Sequence, residues 1–212
     1  MEEFQRARTK EQIASRQEEI IAVCDAIYRE KGYEAVHFKA VSKMTSVSRP
    51  TIYNYYNTKE EIFLDVLKRD FAKWTEELMS HFGKTKKMTK DQFCGFLADS
   101  ILNHEIYFEL LFVFMPSIEK NSSLQKLTAF KQSVWSFRVA FFEGLTKFFP
   151  NVNDEKKEMF YIHFKAVVYG VYPLTHLSAN QIKAMKKVNA KYKVPDYRKI
   201  CFNALMLLMA DI

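Results

Sequence analysis

Between Ala35 and Lys59 the chain carries Lys39, Lys43, Arg49 and Lys59, together with His37, and no carboxylate. The polar remainder is rich in hydroxyls and amides, among them Ser48, Thr51, Tyr53, Asn54, Tyr55 and Asn57. Such groups donate to phosphate oxygens and to the edges of bases, and cations without neighbouring acids attract a polyanion. The chemistry in prospect is recognition rather than bond making. The chain has no Gly-rich phosphate loop, no His-Glu-x-x-His and no nucleophile elbow. An enzyme would rest on scattered Ser, His and acids alone, so the expectation is that the chain is not one. Over the whole chain 32 Lys+Arg against 25 Asp+Glu leave +7, a balance that permits a polyanionic partner without showing one.

These groups read a groove only if rigid elements hold them there. Ile13, Ile20, Cys24, Ile27 and Tyr28 recur at helical spacing and predict a helix from about Lys10 to Lys31, stopped by Gly32. A short helix from about His37 to Met44 turns Phe38 and Val41 inward. Thr45 to Ser48 reads as a turn, and Ser48 caps a third short helix, Arg49 to Tyr55. Pro50 lies in its first turn, where a missing N–H costs little. Thr58-Lys-Glu-Glu61 is a capping box for a fourth helix that runs to Gly83. Two short helices joined by a tight turn form a helix-turn-helix, with Arg49 and Thr51 at the end that reads bases. Lys59 offers one phosphate a cation beside free helix N–H groups.

With five Gly and five Pro, the rest of the chain has few breaks, and long helices with short connections follow. Thr89 to Gln92 and Ser178 to Gln181 are further capping boxes. Between them the pattern predicts a helix from Glu105 to Met115 ended by Pro116, a long one from Ser123 to Phe149, and one from Asn153 or Asp154 to Tyr172, where Pro173 kinks or ends it. Pro195-Asp196 opens the last helix, to about Met209. No segment reads as a strand, so the fold class is all-α. Cys24, Cys94 and Cys201 are too far apart for a disulfide framework or a metal knot. His163 and His176 lack the partners of a metal site, so neither a metal nor a cofactor is expected. No apolar run reaches the ~18 residues of a membrane span. The charged start Met1 to Arg8 carries no signal core, so the expectation is a cytoplasmic protein with no membrane partner.

Gly32-Tyr-Glu-Ala, Val41, Val47-Ser-Arg-Pro-Thr-Ile-Tyr-Asn-Tyr-Tyr and Thr58-Lys-Glu-Glu-Ile resemble the N-terminal signature of TetR-family transcriptional regulators over about residues 16 to 67. The resemblance implies a homodimer, a palindromic operator in double-stranded DNA, and a C-terminal helical domain that binds an effector. By it, Ser48, Tyr53 and Lys59 hold phosphates, while Arg49, Pro50, Thr51, Asn54 and Tyr55 read bases or line the groove. His37 and Lys39 complete the expected DNA-binding set. Val47, Ile52 and Tyr56 match buried positions. Some positions depart from the pattern. His37 and Phe38 stand where Thr or Ser is usual. Thr45-Ser46 replaces Ala-Gly, so a positive φ there would strain Ser46. Pro50 replaces a common Gly and has no N–H to offer DNA.

The expected organisation is therefore a helix-turn-helix DNA-binding domain over residues 1–67, its fourth helix extending as a connector to about 82, and a helical effector-binding and dimerisation domain over 68–212. Aromatic side chains crowd the second part, and an apolar or aromatic effector would need a few polar groups converging on a gap among them. The expected pocket is His104, Tyr107, Phe108, Phe112, Trp135, Arg138, His163 and Tyr169. Two helices there are more apolar than one face requires. The resemblance implies that they pair with their symmetry mates through Phe160, Phe164, Val168, Val171, Cys201, Leu205 and Leu208. The expected function is a repressor released from its operator by the effector. The alternative is the same fold controlled by a protein partner or by nothing. The lysines from Lys183 to Lys199 read as a solvated face.

Overall fold

The computed structural model of the chain describes residues 10–212. The charged start Met1 to Arg8 lies outside the described residues. Among these the chain forms helices and no strand, and its contacts divide it into two units. The first takes residues up to Phe71 together with Glu109–Val134, and the second takes Ala72–Phe108 with Trp135–Ile212.

In the first unit, α1 (Lys10–Lys31) ends at Gly32, whose φ of 79° is the left-handed value that suits glycine. One 3-10 turn, Tyr33–Ala35, leads to α2 (Phe38–Met44) and α3 (Arg49–Ile52). The third helix is shorter than its pattern predicts, because Asn54 and Tyr55 donate back to the carbonyls of Thr51 and Ile52 in tight turns. The fourth, α4 (Lys59–Lys84), passes through Gly83. Val36, Val41, Val47, Ile52 and Tyr56 are buried with Ile20 and Cys24 of α1 and Ile62, Phe63 and Val66 of α4. Those side chains are the apolar residues of the periodic pattern, and their removal from water holds the short helices in place.

Later in the chain, the expected helix from Glu105 to Met115 is replaced by a 3-10 turn, Glu105–Tyr107, and a π-helical turn, Leu110–Phe114. Pro116 then lies in the first turn of α6 (Met115–Lys120) rather than ending a helix, a position that needs no N–H. The long α7 (Leu124–Phe148) follows.

In the second unit, α5 (Lys90–His104) opens on the complete capping box of Thr89 and Gln92. Asn153 caps α8 (Asp154–Thr175). Pro173 does not end that helix, and the Thr175 hydroxyl donates to the carbonyls of Val171 and Tyr172 at 3.2 and 3.1 Å in its last turn. Ser178 and Gln181 form the box that opens α9 (Ala179–Val188), and Asp196 caps α10 (Tyr197–Leu208). The core is aromatic: Trp74 lies 4.4 Å from Phe137 by ring centroids, and Phe141 lies 4.8 Å from Phe164. No single helix among the described residues is long and apolar enough to cross a membrane. Cys24, Cys94 and Cys201 are buried free thiols.

Candidate nucleic-acid interface

The helix-turn-helix is pinned by side-chain to backbone bonds. His37 takes the cap position of α2, where its Nδ1 accepts the Ala40 N–H at 3.0 Å, a role that Thr or Ser fills in the resembling pattern. Ser48 accepts the Thr51 N–H at 3.3 Å and shares a 2.8 Å bond with the Thr51 hydroxyl. The Thr45-Ser46 turn needs no left-handed residue, since Gly32 alone among the described residues has a positive φ. Ser46 is instead held by Glu19 of α1, which accepts its N–H and its hydroxyl at 2.5 and 2.7 Å. Nothing local in the sequence announces that contact, which joins residues 27 positions apart.

On this frame His37, Lys39, Arg49, Tyr53 and Lys59 line one open cleft of about 440 Å³. Its wall also contains Asn57 and Thr58, which are not in the expected DNA-binding set, and one acid, Glu60. The Glu60 carboxylate accepts the Tyr33 hydroxyl at 2.9 Å. Arg49 donates to the Tyr53 hydroxyl at 3.5 Å, and Tyr53 packs edge-on against Phe38 at 4.8 Å. Arg49, Pro50, Tyr53 and Asn54 are exposed, whereas Ser48, Thr51 and Tyr55 are half-buried. The cleft therefore brings together three cations, an imidazole and a phenol, the donors a phosphate requires. The remaining expected contacts, Ser48, Pro50, Thr51, Asn54 and Tyr55, lie outside its wall.

Behind the cleft, Thr58 accepts the Glu61 N–H at 3.3 Å, as a cap should. Glu61 does not close the expected box. Its oxygens accept the N–H groups of Asn57 at 2.8 Å and of Ser123 at 3.0 Å. Burial pushes this carboxyl up, but those hydrogen bonds outweigh it and hold it below its ordinary value.

The residues expected to form an effector pocket differ in burial and in their partners. His104 is buried, stacked on Trp74 at 4.9 Å, with Nε2 3.2 Å from Glu77. Tyr107 and Phe108 are buried in the second unit's core, and Phe112 belongs to the π-helical turn of the first unit. Trp135 is exposed, and the Arg138 guanidinium lies 4.7 Å from its ring while pairing with Glu158. His163 and Tyr169 are exposed on α8.

Most residues of the expected pairing face are buried within the chain. Phe160, Phe164, Val168, Val171, Cys201 and Leu205 are buried inside the chain, where α10 packs on α5 and α8. Of the expected set, only Leu208 is half-exposed. The opposite face of α8 is apolar too: Met159, Ile162 and Tyr169 are exposed, as are Ala166 and Gly170. With Leu207, which is 77% exposed on α10, Met159 and His163 border a groove of about 620 Å³. Apolar residues on both faces of α8 made the inward one indistinguishable until its partners were known.

Residues 20–66 match the family described as bacterial regulatory proteins, tetR family, and residues 68–210 match the tetracyclin repressor-like C-terminal domain. Over 60 residues the chain is 28% identical to the HTH-type transcriptional regulator QacR of Staphylococcus aureus, a match that spans 28% of this chain and 32% of that protein. Among solved structures it resembles the fatty acid degradation regulator FadR from Bacillus halodurans, with a TM-score of 0.57 and 14% identity over 96% of each chain. It also resembles the transcriptional regulator FadR from Bacillus subtilis in complex with stearoyl-CoA, with a TM-score of 0.52 and 16% identity over 92% of this chain and 98% of that one. At such identities the likeness establishes the fold. The two family matches run nearly end to end along the described residues, and the chain belongs to the TetR family of bacterial regulatory proteins.

Proposed function

We propose that the chain is a homodimeric repressor that binds a palindromic operator through α3 and the cleft beside it and leaves the DNA when a small apolar or aromatic molecule binds. The observation that carries this reading is the convergence of Lys39, Arg49 and Lys59 with His37 and Tyr53 on one cleft. Phosphate contacts would fix the register, and the exposed Arg49 and Asn54 would read base edges. The apolar outward face of α8 and α10 supports an isologous dimer, with recognition helices about one DNA turn, ~34–36 Å, apart. The similar structure solved with stearoyl-CoA makes a long-chain acyl thioester, a polyanion whose acyl chain alone is apolar, the first effector to try beside small apolar and aromatic molecules. Effector in the second unit would act through α4 and α7, which contribute residues to both units, and only by its differential affinity for two states.

A second reading has a specific observation behind it. The aromatic rings around Trp74 pack at 4.4 to 6.4 Å with the indole N–H bonded to Ser100, as in a filled core without a guest. That would favour a regulator that answers to a protein or to nothing. The deciding experiment is a mobility shift on the DNA flanking the protein's own gene, against excess competitor, with and without acyl-CoA. A competitor-resistant dimer complex that ligand dissolves supports the first reading. A complex indifferent to every ligand supports the second. Binding with no sequence preference would defeat the operator in both.

A further inference from the structure

Lys59 does not point freely into its cleft. Its side chain is 21% exposed, with the ammonium 3.6 Å from the Glu34 carboxylate. The same ammonium donates to the Tyr33 carbonyl at 3.3 Å and lies 4.0 Å from the centroid of the Tyr33 ring. The lysine is thus parked on two adjacent residues of the 3-10 turn that joins α1 to α2. A phosphate arriving at the cleft has to draw it away from Glu34, which is well exposed and beside it.

Tyr33 is itself held in place. Its ring stacks on Phe63 of α4 at 4.8 Å and 22°, and on Phe114 at 3.9 Å and 9°. Its hydroxyl donates to Glu60 at 2.9 Å. Phe114 is the last residue of the π-helical turn Leu110–Phe114. Glu109, just before that turn, accepts the Tyr28 hydroxyl of α1 at 3.3 Å. Single π-turns interrupt regular helices at a cost and concentrate at functional places. Rewinding this one to an α-turn would rotate Phe114 on its axis and break the parallel stack.

We propose that Tyr33 and Phe114 are positioning residues for the phosphate-holding Lys59, that Glu34 is the anion which competes with DNA for it, and that the π-helical turn thereby sets the grip on DNA. This rests on the DNA-binding reading above. It adds a control element that the helix-turn-helix pattern lacks, since Phe114 lies far from that pattern in sequence. The three residues act on DNA only through the lysine, so their effects must disappear when the lysine is gone.

The test uses a labelled random-sequence duplex, because a phosphate contact does not depend on the operator. Binding is followed by fluorescence anisotropy over a range of salt for Glu34→Gln and Phe114→Leu, each alone and combined with Lys59→Ala. Glu34→Gln should tighten binding about threefold, the size of one exposed ion pair. Phe114→Leu should loosen it by a similar factor with dimer and helix content unchanged. Both effects should vanish in the Lys59→Ala background, where a double-mutant cycle reads the coupling directly. If Glu34→Gln tightens binding equally without Lys59, Glu34 is an ordinary surface charge and the proposal fails. It fails equally if Phe114→Leu weakens binding without Lys59. A wild-type protein that ignores the duplex even at low salt would instead remove the DNA-binding reading itself.

Discussion

Lys126 of α7 places its ammonium 2.6 Å from the carboxylate of Asp65 on α4. Asp65 is buried, and it also accepts the Tyr56 hydroxyl at 2.9 Å and Lys68 at 3.1 Å. The Lys126 ammonium lies 4.1 Å from the Tyr56 ring as well. Burial pushes the Asp65 carboxyl up, but Lys126 and Lys68 outweigh it and hold it below its ordinary value. A carboxylate depressed in this way adds stability above its unfolded pKa, ~3.9, and that contribution is lost as pH falls through the folded value. Lys126→Met should leave the buried carboxylate without its main partner and cost about 3 kcal/mol at neutral pH. Without Lys126, burial dominates and raises the Asp65 pKa, so the variant regains ground on acidification. Urea titrations at neutral pH and near pH 4 should show the gap to wild type narrowing. An unchanged gap would mean that Asp65 is not the group responsible.

Neighbouring positions on α8 should behave in opposite ways. Ile162 is 42% exposed, while Phe164 is 2% exposed. Ile162→Glu puts a charge on the outward face, and if that face joins two copies the dimer should dissociate with its helix content kept. Phe164→Ala empties a core site and should cost about 3–5 kcal/mol. Sedimentation combined with thermal unfolding separates the two effects. A monomer from Phe164→Ala at full stability, or an intact dimer from Ile162→Glu, would move the interface elsewhere.

Local chemistry was legible wherever one residue type has one use. The boxes at Thr89 and Ser178 formed as the spacing predicts, because the donor and acceptor lie within four residues of each other. Prolines were harder. Pro116 read as a terminator and Pro173 as a kink or an end, yet one opens α6 and the other sits inside the last turn of α8, since a missing N–H is tolerated in a first turn and proline can lie within a helix at a cost. The cleft was legible in its cations but not in the posture of Lys59, whose ammonium rests on the Tyr33 carbonyl and ring 26 positions away. The π-helical turn at Leu110–Phe114 has no composition of its own, because LLFVF fits any apolar helix.

The thiols give a test of burial in solution. Desolvation pushes Cys94 and Cys201 up to about 12, and thiolate is the reactive form. Native protein at pH 8 should therefore react slowly with a disulfide reagent at Cys94, Cys201 and the equally buried Cys24. All three should react at once in denaturant. A thiol that titrates quickly in the native state would place its helix at the surface.

Contacts to DNA should divide by the kind of information they carry. Lys39 is exposed on α2 and lines the cleft, so it fits a phosphate. Arg49 is exposed at the first position of α3, with its guanidinium 3.5 Å from the Tyr53 hydroxyl, a place from which it can reach a base edge. Lys39→Ala should weaken binding to every sequence alike and flatten the log–log salt dependence by about two per dimer, one released counterion for each copy. Arg49→Ala should leave the salt slope nearly as it is at non-specific sites and relax the preference at one operator position per half-site by ~1–3 kcal/mol. The comparison needs only wild type and the two variants against a set of single base-pair changes. If both substitutions lowered affinity by one common factor across that set, Arg49 would be a second phosphate contact, and the reading of sequence would fall to Asn54 and to the shape of the groove.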